Sequence, residues 1–132
     1  MRALLLHVGV DSYAVPMQHA REVLDAPPLT AVPTAPATVL GLCNLRGEIV
    51  PVFDTGVLLG LGPLTSFSSI AIVETQLGPA GLATTDRGAS VELGDAVAVT
   101  EGPGTAGAFA VGSGLAVLID VEALLSPARV GG

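Results

Sequence analysis

The first ten residues alternate: Leu4, Leu6, Val8 and Val10 recur with period two and His7 falls between them, which predicts a strand over residues 3–10 with one buried face. Asp11-Ser12 carries turn chemistry ahead of Tyr13-Ala14-Val15, so the opening reads as a hairpin. Ala20, Val23 and Leu24 then fall at helical spacing before Pro27-Pro28, predicting a short helix that also holds His19. Four prolines between residues 25 and 38 mark a loop. Two apolar runs follow, residues 39–45 and 49–53, joined at Arg46-Gly47-Glu48, where Gly47 suits a positive φ. Pro51 lacks a ladder donor, which predicts an edge strand or a bulge there. Further strands are expected at 69–74, 81–85, 97–100, 108–111 and 115–119, with a closing helical turn at 122–125.

The chain also repeats itself at an offset of 66 residues. Residues 41–59 (GLCNLRGEIVPVFDTGVLL) lie over residues 107–125 (GAFAVGSGLAVLIDVEALL) without a gap. Gly41 matches Gly107, Asp54 matches Asp120, and Leu58-Leu59 match Leu124-Leu125, while Ile49, Val52 and Phe53 face Leu115, Leu118 and Ile119. The same offset sets Leu4 and Leu6 over Ile70 and Ile72. Two small β units of similar topology are the expectation, with Phe53 and Ile119 as structural core residues at their strand ends.

Composition narrows the function classes. With 132 residues the chain fits one domain, and 17 glycines and 10 prolines agree with many turns. A net charge of −7 disfavours a nucleic-acid partner and direct binding to an anionic membrane, since both need a basic patch. The uncharged stretch 102–119 holds five glycines and a proline and reads as a hairpin rather than a membrane span. A single cysteine, Cys43, and no convincing signal-peptide core at the start suit a cytoplasmic location.

Candidate chemistry is sparse. Neither His7 nor His19 has a second ligand at metal spacing, Cys43 sits in an apolar run as a small buried hydrophobe, and the Gly-Pro-Gly and Gly-Ser-Gly stretches lack what a phosphate loop needs. Asp54 and Asp120, each between a strand and a helical turn, read as structural helix caps rather than a catalytic dyad. No catalytic residue, metal or cofactor is expected, and the chain is not expected to be an enzyme. That leaves Arg46 at a hairpin tip, where it is either solvated, paired with nearby Glu48, or presented as a charged fork to a partner. A small-molecule or nucleotide-binding regulatory domain, with its ligand between the two units, stays open as another reading.

The segment GLCNLRGEIVPVFD resembles the central signature of the CheW family: an apolar strand, an Asn-Leu-Arg-Gly turn and a Val-Pro-Val strand ending in Asp. The opening strand, YAVP followed by a segment ending VLD, and LAVLIDVEALL near the end resemble the same family in the same order. The resemblance implies an all-β fold of two SH3-like five-stranded barrels related by internal pseudo-symmetry, with short helices. It implies a single CheW-like domain over residues 1–132 with mixed subdomains, the hairpin signature lying at 41–54 and its repeat at 107–120. In function it implies a non-catalytic adaptor in chemotaxis signal transduction. The partners would be the regulatory domain of a CheA-type histidine kinase and the cytoplasmic tip of a methyl-accepting chemoreceptor; a divergent scaffold of another motility or sensory pathway is the alternative. Arg46 would be the partner-binding residue, with Asn44, Leu45, Gly47 and Glu48 around it. Between residues 81 and 104 the chain departs from the family pattern, with polar Thr84-Thr85 and Gly88 inside GLATTDRGASVEL, and a trimmed or loosened second unit is expected there.

Overall fold

A computed structural model describes residues 1–131, so the last residue of the expected domain lies outside the described residues. In chain order the elements are β1 (Arg2–Val8), β2 (Asp11–Pro16), β3 (Ala20–Asp25), β4 (Val39–Leu45), β5 (Glu48–Phe53), α1 (Thr55–Leu58), β6 (Ser69–Thr75), β7 (Gly78–Thr84), β8 (Ala89–Glu92), β9 (Ala96–Ala98), β10 (Thr105–Val111), β11 (Gly114–Ile119), α2 (Val121–Leu124) and α3 (Pro127–Val130). They form a six-stranded sheet, ordered β8-β1-β2-β11-β10-β9, and a five-stranded sheet, ordered β3-β6-β7-β5-β4. The expected all-β fold with short helices is thus the observed one, with β9 as a sixth strand in one sheet.

The two sheets are built alike, and each draws on both halves of the chain. The β4–β5 hairpin runs parallel to β7 through Val52↔Gly81 and Phe53↔Leu82, and the β10–β11 hairpin runs parallel to β2 through Val117↔Tyr13 and Leu118↔Ala14. β3 leaves its neighbours in sequence to pair with β6, while β8 pairs with β1. The 66-residue offset holds for the β4–β5 and β10–β11 hairpins, whose turns are Arg46-Gly47 and Gly112-Ser113. It fails by one residue for the first hairpin: the β1–β2 turn Gly9-Val10 corresponds to the β6–β7 turn Gln76-Leu77, an offset of 67. Leu4 and Leu6 therefore correspond to Ala71 and Val73, not to Ile70 and Ile72. A one-residue slip moves a side chain to the other face of its strand, and the core shows it. Leu4, Leu6, Ala71 and Val73 all pack between the sheets, whereas Ile70 and Ile72 pack inside the five-stranded one.

Three apolar clusters result. Between the sheets Leu4, Leu6 and Val15 meet Phe53, Val73, Leu82 and Ile119, closed off by Leu58 of α1 and Leu124 of α2. Inside the five-stranded sheet lie Cys43, Leu45, Val50, Val52, Ile70 and Ile72; inside the six-stranded one lie Ala3, Ala14, Leu93, Ala116 and Leu118. Burial pushes the Cys43 thiol above its usual range, as an inert apolar site does. Asp54 caps α1, accepting from the Val57 N–H at 3.2 Å and from Leu64, and Asp120 caps α2 from the Ala123 N–H at 3.1 Å.

Four expectations from the pattern change. The predicted helix at Ala20–Leu24 is strand β3, because pairing with β6 satisfies its backbone and a six-residue segment gains little as an isolated helix. The first turn is Gly9-Val10 rather than Asp11-Ser12, which places Val10 outside the strand and 98% exposed. β5 is an interior strand, so Pro51 is not at an edge; its pairing with β7 begins only at Val52, past the proline that cannot donate. The stretch 81–104 is not trimmed: it supplies the end of β7, all of β8 and all of β9. Thr84 is buried, its hydroxyl donating to the Asp86 carbonyl at 2.5 Å, and Thr85 donates through both N–H and hydroxyl to the His7 carbonyl at 2.9 Å. His7 Nδ1 meets Asp86 Oδ2 at 2.8 Å. These polar groups fasten the crossover from one sheet to the other.

A candidate partner-binding hairpin

The β4–β5 hairpin ends in a two-residue turn with both central residues left-handed, Arg46 at φ 51° and Gly47 at φ 86°, as a type I′ turn requires. Asn44 holds this turn, its Oδ1 accepting from the Gly47 N–H at 2.8 Å. Leu45 turns inward and is buried, so it frames the tip from below. Ile49, opposite Asn44 in register, stays 59% exposed beside it. The corresponding turn in the other sheet has Gly112 at the place of Arg46, with φ 57°. A non-glycine residue in that conformation costs about 1 kcal/mol, so the arginine stands where glycine would fit more easily.

Its guanidinium is directed onto Glu22 of β3, not onto Glu48. Arg46 Nη1 donates to Glu22 Oε1 at 3.4 Å and Nη2 donates more closely to Glu22 Oε2, a two-point fork on one carboxylate. Arg21 extends the cluster: its Nε lies 3.8 Å from Glu22, and its Nη1 donates at 3.1 Å to both Glu48 and Glu74. Arg21 and Glu22 are sequence neighbours and yet reach one cluster, because the β3–β6 register slips between Ala20 and Glu22 and leaves Arg21 as the extra residue. Hydrogen bonding from Arg46, with the charges of Arg46 and Arg21 added and partial burial opposing, holds the Glu22 carboxyl below its ordinary 4.5. The Glu48 hydrogen bond, the first of several carboxylate contacts, raises Arg21 further above its already high value. Arg46 keeps 63% of its side chain exposed.

The sequence singled out Arg46 with Asn44, Leu45, Gly47 and Glu48, and the structure gathers these at one tip. It adds Glu22, Arg21 and Glu74, which the sequence reading did not name. Residues 20–25 read Ala-Arg-Glu-Val-Leu-Asp, without apolar–polar alternation, so nothing local marks the strand or brings Arg21 and Glu22 together. Shallow grooves elsewhere hold about 250–320 Å³. Another, about 300 Å³, lies between the β1–β2 turn and the segment joining α1 to β6, lined by Leu61, Leu64 and Thr85. That is the lower limit of ligand-sized cavities.

The CheW-like domain profile matches residues 2–129. The chain belongs to the CheW-like domain family. Among curated proteins it is 31% identical over 74 residues to a probable chemotaxis protein CheW of Rhizobium etli, covering 56% of this chain and 48% of that one. It is 38% identical over 58 residues to the chemotaxis protein CheW of Rhizobium meliloti, covering 44% and 37%. Protein PilI of Pseudomonas aeruginosa matches at 33% over 69 residues, covering 51% and 39%. The matched stretches thus span about half or less of these relatives. Among solved structures, the scaffolding protein TtCheW of Thermoanaerobacter tengcongensis superposes with a TM-score of 0.81 at 22% identity, covering 95% of this chain and 87% of that one, which shows a shared fold. No helix among the described residues is long and apolar enough to cross a membrane.

Proposed function

We propose that this CheW-like chain is a cytoplasmic adaptor in chemotaxis signal transduction. It would couple the tip of a methyl-accepting chemoreceptor to the regulatory domain of a CheA-type histidine kinase, with the Arg46 hairpin as a contact surface. The observation that carries the reading is the placement of Arg46. An arginine occupies a left-handed turn position that the repeat fills with glycine, is braced on Glu22, and leaves most of its side chain in solvent beside exposed Ile49. A rigid tip with a fixed charge and an apolar neighbour suits a protein surface better than solvent alone. Family membership and the relatives named as chemotaxis proteins support the choice of partners. The match to PilI, a relative not named for chemotaxis, favours a second reading in which the same scaffold serves another sensory or motility pathway.

Two variants test the hairpin. Arg46→Gly removes the guanidinium and the backbone strain together, so its melting temperature should stay close to the parent's. Arg46→Glu adds repulsion against Glu22. Both should weaken binding of the kinase regulatory domain or the receptor-tip peptide by about tenfold or more, equivalent to roughly 1.4 kcal/mol. Unchanged affinity of folded Arg46→Gly for both partners would remove the hairpin from the binding surface. Failure of the parent chain to bind any CheA-type regulatory domain would favour the second pathway.

A further inference from the structure

Each sheet has two edges, and three of the four are blunted. β3 carries Arg21, Glu22 and Asp25, all in ion pairs. β4 is bridged by Thr30, whose N–H donates to the Leu42 carbonyl at 2.8 Å and whose carbonyl accepts from the Leu42 N–H at 2.9 Å. β8 ends on Glu92, which meets the amino terminus and Arg2. β9 is short, three residues, and its register slips against β10 between Ala108 and Phe109, but it carries no charge, ion pair or bridging segment. Residues 94–99 are exposed in succession, and 96–99 read Ala-Val-Ala-Val with no proline or charge. Val97 is 51% and Val99 91% exposed. The inner side of β9 pairs with β10 through Ala98↔Ala108 and Ala96↔Phe109, which leaves a row of peptide groups facing outward. An uncharged, β-branched edge of this kind is what natural sheets avoid leaving open.

The flanks of the edge indicate what covers it. Asp95 and Glu101 stand at its two ends, both exposed, and neither forms an ion pair among the described residues. We propose that β9 receives an extended segment of a partner protein as an added strand. That segment is apolar at alternate positions, covering Val97 and Val99, and carries Lys or Arg at its ends, opposite Asp95 and Glu101. A second copy of this chain is a poorer occupant, because it brings the same acidic flanks and a further net charge of −7. The surface is separate from the Arg46 hairpin: β9 belongs to the six-stranded sheet and the hairpin to the five-stranded one.

The probes are two fluorescent peptides, Arg-Thr-Val-Thr-Val-Thr-Arg and its counterpart with Glu at both ends, titrated into the full chain by anisotropy. The basic peptide should saturate, protect the amides of residues 96–99 from hydrogen exchange and weaken as salt rises, with the acidic peptide at least tenfold weaker. Val97→Lys, on a solvent-facing side chain, should lose tenfold in affinity for the basic peptide at unchanged melting temperature. Asp95→Asn combined with Glu101→Gln should erase the preference between the peptides. Equal binding of both peptides by the parent chain, no saturable binding of either, or exchange protection confined to other strands would overturn the proposal. So would a homodimer that Val97→Lys dissociates, since that would make the second copy the occupant.

Discussion

Arg46 and Glu22 show how a costly local conformation persists when a neighbour holds it. The turn places Arg46 at φ 51°, and the fork onto Glu22 ties that turn to a strand 24 residues earlier in the chain. Because Glu22 has a folded pKa below its ordinary 4.5, its ionised form is favoured by folding. The associated stability is present above about pH 4.5 and is lost as pH falls through the lowered value, the usual carboxylate direction. Melting temperatures of the parent and of Glu22→Gln should therefore differ by a constant amount near neutral pH and converge in acid. A gap that persists once Glu22 is protonated would show that it acts by packing rather than by charge. At the same scale, Ile119 is fully buried at the end of β11, where the two sheets meet. Ile119→Ala should cost roughly 2–5 kcal/mol in denaturant unfolding, and a loss under about 1 kcal/mol would place the side chain outside the core.

Single elements are fixed by what their backbones must avoid, and two glycines separate conformation from crowding. Gly47, at φ 86° in the hairpin turn, would place a Cβ in open space. Gly88, at φ 72° ahead of β8, would place one 2.1 Å from the Leu5 carbonyl oxygen, a backbone atom that cannot turn aside. Gly47→Ala should thus cost about 1 kcal/mol from the left-handed conformation alone, while Gly88→Ala should lose several times that or detach β8 from β1. Hydrogen exchange over residues 89–92 checks the second outcome, and equal melting temperatures for the two variants would contradict the close approach. Gly88 is not a mark of looseness: it lets the chain pass over β1.

Across the whole molecule, the exchange of strands between halves decides how the protein folds. In the first half, β1–β2 and β4–β5 share no sheet with each other; their partners β8, β11 and β7 come from the second half. Cut between residues 66 and 67, each piece holds hairpins that have lost their sheet partners and much of their apolar cover to the other piece. Isolated hairpins of that size are marginal in water. The two pieces expressed separately should lack dispersed amide resonances, regain them when mixed, and the intact chain should unfold in one transition. A half that folds alone would mean that its own strands can close a core without the exchange.

Alternation was enough to mark β1 and β6, and the Asn-Leu-Arg-Gly turn between apolar runs marked the β4–β5 hairpin and its tip, because both signals lie within a few neighbouring residues. The repeat, too, is legible wherever one offset is kept, as from Gly41 to Leu59 and from Gly107 to Leu125. What depended on the tertiary structure involves partners far apart in sequence. Residues 20–25 are a strand because β6 lies beside them, at a separation that no local periodicity records. Glu22 becomes the brace of Arg46 only once β3 crosses to the five-stranded sheet. The offset of 67 in the first hairpin is set by which face must be buried between the sheets, and a strand presents that choice with the same pattern of side chains until a second sheet covers one side.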